Sequence, residues 1–285
     1  DILSERFHKY WKTLLIPYFI FQIIYYPYYL VQNVLQDGRD IHNILDWGIE
    51  PLIETIIGLP LNGPTWFIFS LFIMKAIIDL GHKEKNQFVY LLLFLCTSFI
   101  ISYLFIMKDD SIKISFCIDG TAKYMPYFIL GQIFKLKFSK QMRNTSNRYI
   151  LLSLSILFTI ATILALEMIR CGTINSNYIL YYCIAALGTS SVILFCKFIN
   201  KSPDLIKIIS SGTIVILGTH WMFIGFINFV VEKAFVIQAV EYSTLVATIV
   251  VLFITFVRYF IIKFCMKHFT IILGGRHTNK KKYDN

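Results

Sequence analysis

Eight apolar runs, each long enough to cross a bilayer or nearly so, dominate this sequence. They fall near residues 13 to 35, 64 to 80, 88 to 107, 122 to 136, 149 to 169, 178 to 198, 211 to 231 and 239 to 262, against about 20 residues for an α-helix that spans hydrocarbon. In hydrocarbon every backbone N–H and C=O must be paired within its own segment, which for runs of this length means helix. The expected fold class is all-α, a polytopic integral membrane helical bundle of about eight transmembrane helices. Composition agrees: the chain is 56% apolar and 15% charged, with a mean hydropathy of +0.64, and counting glycine lifts the apolar share to about 61%, against roughly 45 to 50% in soluble domains. That excludes a water-soluble globule and a disordered chain. Six cysteines in 285 residues are too sparse for a disulfide scaffold.

The fourth run, GTAKYMPYFILGQIF, is short and is expected to be tilted, broken or partly re-entrant. The one long connection, residues 36 to 63, carries Asp37, Asp40, Asp46, Glu50 and Glu54 among apolar residues. Its stretch ILDWGIEPLIETIIGL reads as one or two short amphipathic helices lying in the membrane interface. Pro17 and Pro27 are expected to kink the first span.

Lys and Arg set the orientation, because cytoplasmic connections carry their excess. Of the 27, 21 lie in the N-terminal segment, in alternate connections (Lys75, Lys83 and Lys85; Lys135, Lys137, Lys140, Arg143 and Arg148; Lys197, Lys201 and Lys207) and in a tail counted from Arg258. Only 6 (Arg39, Lys108, Lys113, Lys123, Arg170 and Lys233) lie in the connections between. This alternation predicts an even number of spans with N and C termini cytoplasmic. The connections around 36 to 63, 108 to 121, 170 to 177 and 232 to 238 then face outward. The expected organisation is a single transmembrane domain over 1–270 and a basic cytoplasmic tail over 271–285. Topology therefore accounts for the net charge of +10, and no nucleic acid partner is expected. The chain opens on Asp1 and a polar segment with no signal-peptide pattern, and its true beginning is expected to lie upstream.

A polar group at membrane depth is costly unless paired, so each is a candidate for function. His220, about ten residues into its span in SSGTIVILGTHWMFIGF, suits proton transfer or a polar ligand, or else a helix-to-helix hydrogen bond. In LPLNGPTWFIF, Pro60 and Pro64 bracket Asn62 and Gly63 beside Trp66; a regular helix cannot run there, so the exposed carbonyls need protein or a watery cavity over them. The bland alternative is an interfacial Trp on a Pro-started helix. Glu167 and Arg170, three apart, are placed to pair on one helix face, more as a structural ion pair than as a site. Asp79 is expected to reach headgroups or pair with Lys75. No phosphate loop, nucleophile elbow or metal-spaced Cys/His cluster is present, so no metal is expected. Cys117 and Cys171 both fall in outward connections, where a disulfide could persist.

Four segments resemble the membrane acyltransferase-3 family of polytopic O-acyltransferases. RFHKYWKTLLIPYFIF resembles the basic, Pro-containing start of that family's third helix. NGPTWFIFSLFIM is similar to its Gly-Pro-x-Trp-Phe span start, YFILGQIF to its Phe-x-x-Gly segment, and GTIVILGTHW to its late Ile-Leu-x-x-His helix, all in the family's order. The resemblance implies a membrane O-acyltransferase of the cell inner or plasma membrane. It would move an acyl group, acetyl by preference, from a cytoplasmic acyl donor such as acetyl-CoA, a co-substrate with no bound cofactor, to a hydroxyl of a cell-surface or lipid-linked sugar or polysaccharide. The family's first two helices, with an Arg and a catalytic His, would lie upstream of Asp1. The catalytic residue is then unknown within this chain, which is expected to be an incomplete and inactive copy. Lys135 and Lys137, beside a turn expected at Gly131, would steer a polyanionic donor. Asn62, Gly63, Trp66, His220, Glu167 and Arg170 remain the candidates for a substrate or donor cavity. A transporter or flippase of lipid-linked sugars is the alternative; it would often show internal repeats, and none is evident.

Overall fold

The computed structural model describes residues 2–35, 38–80, 86–106, 114–137, 147–172, 178–199, 203–235 and 244–274, and among these every regular element is helical. Asp37, Lys83, Lys85, Lys108, Lys113, Lys140, Arg143, Lys201, residues 173–177 and the tail from 275 lie outside the described residues. Each of the eight apolar runs forms a helix over its described residues. The first comprises α1 (Ile2–Tyr10), a π-helical turn (Trp11–Leu15) and α2 (Ile16–Leu35). The others are α4 (Trp66–Leu80), α5 (Gln87–Ile106), α6 (Ile118–Lys137), α7 (Arg148–Arg170), α8 (Tyr178–Ile199), α10 (Thr213–Phe235) and α11 (Thr244–His268). Shorter helices are α3 (Ile44–Glu54) and α9 (Asp204–Ser211).

Seven of the eight, all but α6, are long and apolar enough to cross a membrane. α6 carries Asp119, Lys123, Lys135 and Lys137, which lower its hydropathy. It continues through Pro126 and past Gly131 to Lys137, so the turn expected at Gly131 is absent; an interior Gly costs a helix only about 1 kcal/mol relative to Ala. α11 begins at Thr244 and ends at His268, which places Arg258 inside a span and not in the tail.

The pattern of burial is that of a protein solvated by lipid. Only 11 to 39% of the best apolar window in each span is buried, while Leu93, Ile100, Leu252 and Phe256 face outward and Gln22, Asn62, Thr65, Ser70 and Arg258 are buried. So much contiguous exposed apolar surface needs a bilayer to cover it. The chain is an all-α, multi-pass membrane protein.

Two compact units divide the chain, Asp1–Leu130 with Leu205–Asn285, and Gly131–Asp204. In the first, Leu14, Leu15, Tyr18, Ile68 and Phe69 make one core cluster and Phe21, Val215, Ile262 and Leu273 another. Glycines let the helices of this unit close together. Gly218 of α10 lies against the Phe21 ring and Gly225 against the Tyr28 hydroxyl, both of α2, while Gly212 lies against Ile262 of α11; a Cβ at any of the three would overlap its neighbour. Close backbone approach through small residues is how helices associate where no hydrophobic force drives them.

The π-helical turn ends two residues before Pro17, which has no N–H to give the Thr13 carbonyl and crowds it. Gly274, at φ 72° after the 3₁₀ turn Thr270–Leu273, packs on that carbonyl; a Cβ there would stand 2.5 Å from the Thr13 oxygen. Beyond the turn, Arg6 Nη1 lies 3.2 Å from Asp79 Oδ1, and the Tyr10 hydroxyl donates to Asp79 Oδ2 at 2.7 Å. Asp79 therefore pairs with α1, and the Lys75 ammonium lies over the Tyr10 ring.

α3 and its flanking turns occupy the long connection as amphipathic helices. Leu45, Ile49, Ile53 and Ile56 are exposed while Gly48 packs on Leu30 of α2. Asp40 starts this segment: its carboxylate accepts from the His42 N–H at 2.9 Å, and its carbonyl accepts from the Trp47 indole at 3.0 Å.

In the second unit α7 and α8 form a hairpin closed by a seam of small polar residues. The Ser155 and Ser191 hydroxyls each donate to the other's backbone carbonyl, at 3.0 and 3.1 Å, and Thr159 Oγ1 lies 2.6 Å from Ser191 Oγ. Gly188 sits against Thr162 in the same seam.

Candidate functional site

The two prolines of LPLNGPTW hold residues 60–62 out of the helix, and Gly63–Thr65 forms a single 3₁₀ turn that leads into α4. Asn62 and Thr65 are fully buried, so their polar atoms need partners inside the protein. Gln22 of α2 provides two: its Oε1 accepts from the Asn62 N–H at 3.0 Å and its Nε2 donates to Thr65 Oγ1 at 2.6 Å. Thr65 Oγ1 donates to the Asn62 carbonyl at 2.6 Å, and Asn62 Nδ2 donates to the Gly218 carbonyl of α10 at 2.6 Å. Asn62 thus ties α2, the start of α4 and α10 together, with its Oδ1 buried and unpartnered among the described residues.

Above this network opens a cavity of about 860 Å³, whose walls include Glu54, Gly63, Trp66, Asp119, Lys123 and Tyr124. The Trp66 ring stacks on Tyr124, with centroids 5.2 Å apart at 29°. Two glycines frame the wall: a Cβ on Gly120 would stand 2.9 Å from the Trp66 ring, and one on Gly63 3.0 Å from the Trp221 ring. The far rim is strained. Phe116 and Cys117 adopt φ of 63° and 50°, in the left-handed region that side chains rarely enter and that persists where surrounding contacts enforce it. Those contacts are present: Cys117 Sγ donates to the Gly58 carbonyl at 2.7 Å, and Ser70 Oγ donates to the Cys117 carbonyl at 3.4 Å. Gly58, at φ 76°, lies where a Cβ would stand 2.7 Å from Phe116 Cα.

Burial first, and then the Asp119 charge, push the Cys117 thiol up to about 12, so it is neutral and unreactive at physiological pH. It is a free thiol, as is the exposed Cys171. No group of three or more His, Cys, Asp or Glu able to hold a metal occurs among the described residues.

An aromatic wall beside two carboxylates and an ammonium suits a polyhydroxylated ligand. The stacked rings offer an apolar face, and Glu54 and Asp119 accept hydroxyl hydrogens.

Of the residues singled out from the sequence, Gly63 and Trp66 line this cavity and Asn62 lies directly beneath it. His220 stands two residues beyond Gly218 on α10 and turns to Arg258 of α11, whose Nη2 lies 3.3 Å from His220 Nδ1. Glu167 and Arg170 belong to the second unit and form an ion pair at 2.9 Å with largely exposed side chains. Sequence reasoning passed over Gln22, Thr65, Asp119, Tyr124 and Arg258. Gln22 and Arg258 carried a usable signal, since each interrupts an apolar run.

No curated protein and no solved structure matches the chain. The model of the acyltransferase-3 family, described as an acyltransferase domain, matches residues 3–264 and so covers α1 through most of α11. The chain belongs to the acyltransferase-3 family, the membrane acyltransferases that its Gly-Pro-x-Trp-Phe span start and late Ile-Leu-x-x-His helix resemble.

Proposed function

We propose that the membrane acyltransferase to which this chain belongs moves an acetyl group from a cytoplasmic acyl donor such as acetyl-CoA to a hydroxyl of a cell-surface or lipid-linked sugar, and that the cavity above Asn62 receives the acceptor. The observation that carries the acceptor half is the Trp66 and Tyr124 stack beside Glu54 and Asp119. The charge alternation along the sequence supports placing that cavity on the outer side, away from the donor. In the transfer, the acceptor oxygen bonds to the acyl carbon, the carbon–sulfur bond of the thioester breaks, and the hydroxyl proton ends on the departing thiol. Trp66 and Tyr124 orient the sugar ring, and the carboxylates fix its other hydroxyls, so that one hydroxyl is presented for attack.

The test is transfer of labelled acetyl from acetyl-CoA to glycan in membranes of the source cell. The chromosomal copy would encode the wild type, Trp66→Ala, Trp66→Phe or Asp119→Asn. A stacking contact of about 1.4 kcal/mol corresponds to about tenfold, so Trp66→Ala is expected to lose about tenfold in kcat/KM, carried by KM, with Trp66→Phe closer to wild type. Unchanged transfer in both Trp66→Ala and Asp119→Asn at equal protein level removes the cavity as the acceptor site. Absence of transfer by the wild type removes the activity.

A further inference from the structure

A second polar centre lies in the spans, made by residues that do not wall the cavity. Arg258 is only 6% exposed. Its Nη2 lies 3.3 Å from His220 Nδ1, and its guanidinium carbon lies 5.4 Å from the centroid of the Phe223 ring. Its Nε is buried with no hydrogen-bond partner, and among the described residues no carboxylate forms an ion pair with it. His220 stands seven residues into α10 and Arg258 ten residues before the end of α11, which at 1.5 Å per residue is about 10 and 15 Å from the ends of two successive spans. The pair therefore sits well inside the bilayer.

The chemistry is one-sided. Arginine has five N–H donors, no acceptor and a permanent charge. Because Nη2 donates to Nδ1, the imidazole is neutral and carries its proton on Nε2, on the side of the ring turned away from the guanidinium. The centre is thus a net positive, donor-only site in surroundings where a bare charge is costly and normally has a partner. A strut between α10 and α11 would require only an uncharged donor toward His220, with neither a charge nor an idle Nε. What the centre lacks is an anion that accepts from the guanidinium edge containing Nε, the edge that grips phosphate in a two-pronged fashion.

We propose that Arg258, oriented by His220, holds a phosphate group between α10 and α11. Two sources share that chemistry, the phosphates of a coenzyme A donor and the phosphate of an anionic lipid. The coenzyme A source rests on the donor proposed above; the lipid source does not.

The experiment uses the full chain in phosphatidylcholine nanodiscs. Binding of labelled coenzyme A is measured at equilibrium, and retention of added phosphatidylglycerol is measured by native mass spectrometry, each for wild type, Arg258→Gln, Arg258→Lys and His220→Gln. Neither readout depends on acetyl transfer, so an inactive enzyme leaves the test intact. At least one probe is expected to bind the wild type and to weaken by about tenfold or more in Arg258→Gln, the loss expected for charge-assisted hydrogen bonds. Arg258→Lys keeps the charge without the fork and is expected to fall between. His220→Gln keeps an acceptor that orients the guanidinium and is expected to bind close to wild type, as a positioning residue should; Arg258→Lys carries the test if Arg258→Gln does not insert. Dependence of coenzyme A binding on Arg258 identifies a donor site, and dependence of phosphatidylglycerol retention a lipid site. If neither probe binds, or both bind wild type and variants alike, the pair is a strut and the proposal falls.

Discussion

Single side chains carry more of this structure than their number suggests, because a buried polar group in a lipid-solvated protein finds its partner inside or goes without. Gln22 is the sharpest case. It accepts from the Asn62 N–H and donates to Thr65 Oγ1, so Gln22→Leu strands the Asn62 N–H, an unmet bond that costs about 1 to 3 kcal/mol, and takes away Thr65's donor. The expected result is a clear fall in the thermal unfolding midpoint of the purified protein; Gln22→Glu, which keeps the acceptor, is expected to fall less. Cysteine chemistry gives a second residue-level prediction. At pH 7.5 a maleimide is expected to label exposed Cys171 quickly and Cys117 only after denaturation, since burial holds that thiol neutral; rapid labelling of Cys117 in the folded protein would contradict the Gly58 contact. At this scale the sequence was partly legible. Pro60, Pro64 and Trp66 announce a broken, covered backbone. Glu54, Asp119 and Tyr124 reach the same cavity from segments up to 70 residues apart, and no local pattern joins them. Arg258 groups by charge with the cytoplasmic lysines that follow it, although TLVATIVVLFITFVRYFII is apolar on both sides of it.

Whole helices were the most legible feature, because hydrocarbon allows one backbone solution for a long apolar run, and each of the eight runs is helical over its described residues. How those helices meet was not legible, since lipid-facing and protein-facing positions are equally apolar and only small residues mark the contact side. Gly218 and Gly225 show why they matter: seven residues apart, they lie on one face of α10 and admit Phe21 and Tyr28 of α2. Gly218→Val is expected to separate these helices and to weaken the Asn62 bond to the Gly218 carbonyl with them. The check is a fall in unfolding temperature that is larger than for Gly131→Val, whose site has open space around it. The α7 and α8 hairpin depends on a comparable seam, and Ser191→Leu removes two of its hydroxyl contacts while adding bulk. Greater protease sensitivity between residues 170 and 178 is the expected readout, with Ser153→Leu, on an exposed position of α7, as the neutral comparison.

For the molecule as a whole, α6 decides the arrangement across the membrane. Seven helices qualify as spans by length and hydropathy; if α6 crosses as well, both chain ends share a side, as the basic residues suggest. Cysteines introduced at Asn43 and Ile114 are then expected to react with an impermeant reagent added to intact cells, and one at Ser139 is not. Labelling at Ser139 from outside would leave α6 on one side and send the two chain ends to opposite faces. The π-helical turn at Trp11–Leu15 acts on the same scale. There the Ile16 N–H reaches back five residues to the Trp11 carbonyl, so the turn holds one residue more than an α-helical turn does, and everything before it is set back by one position, about 100° of rotation. The turn works as a phase adjuster: it lets α2 keep the facing that Pro17, Tyr18, Phe21 and Gln22 require while α1 is dialled independently until Arg6 and Tyr10 point at Asp79. Removing a single residue from Trp11–Leu15 would leave the span long enough to cross and nearly unchanged in hydropathy, yet it would swing both side chains off their carboxylate.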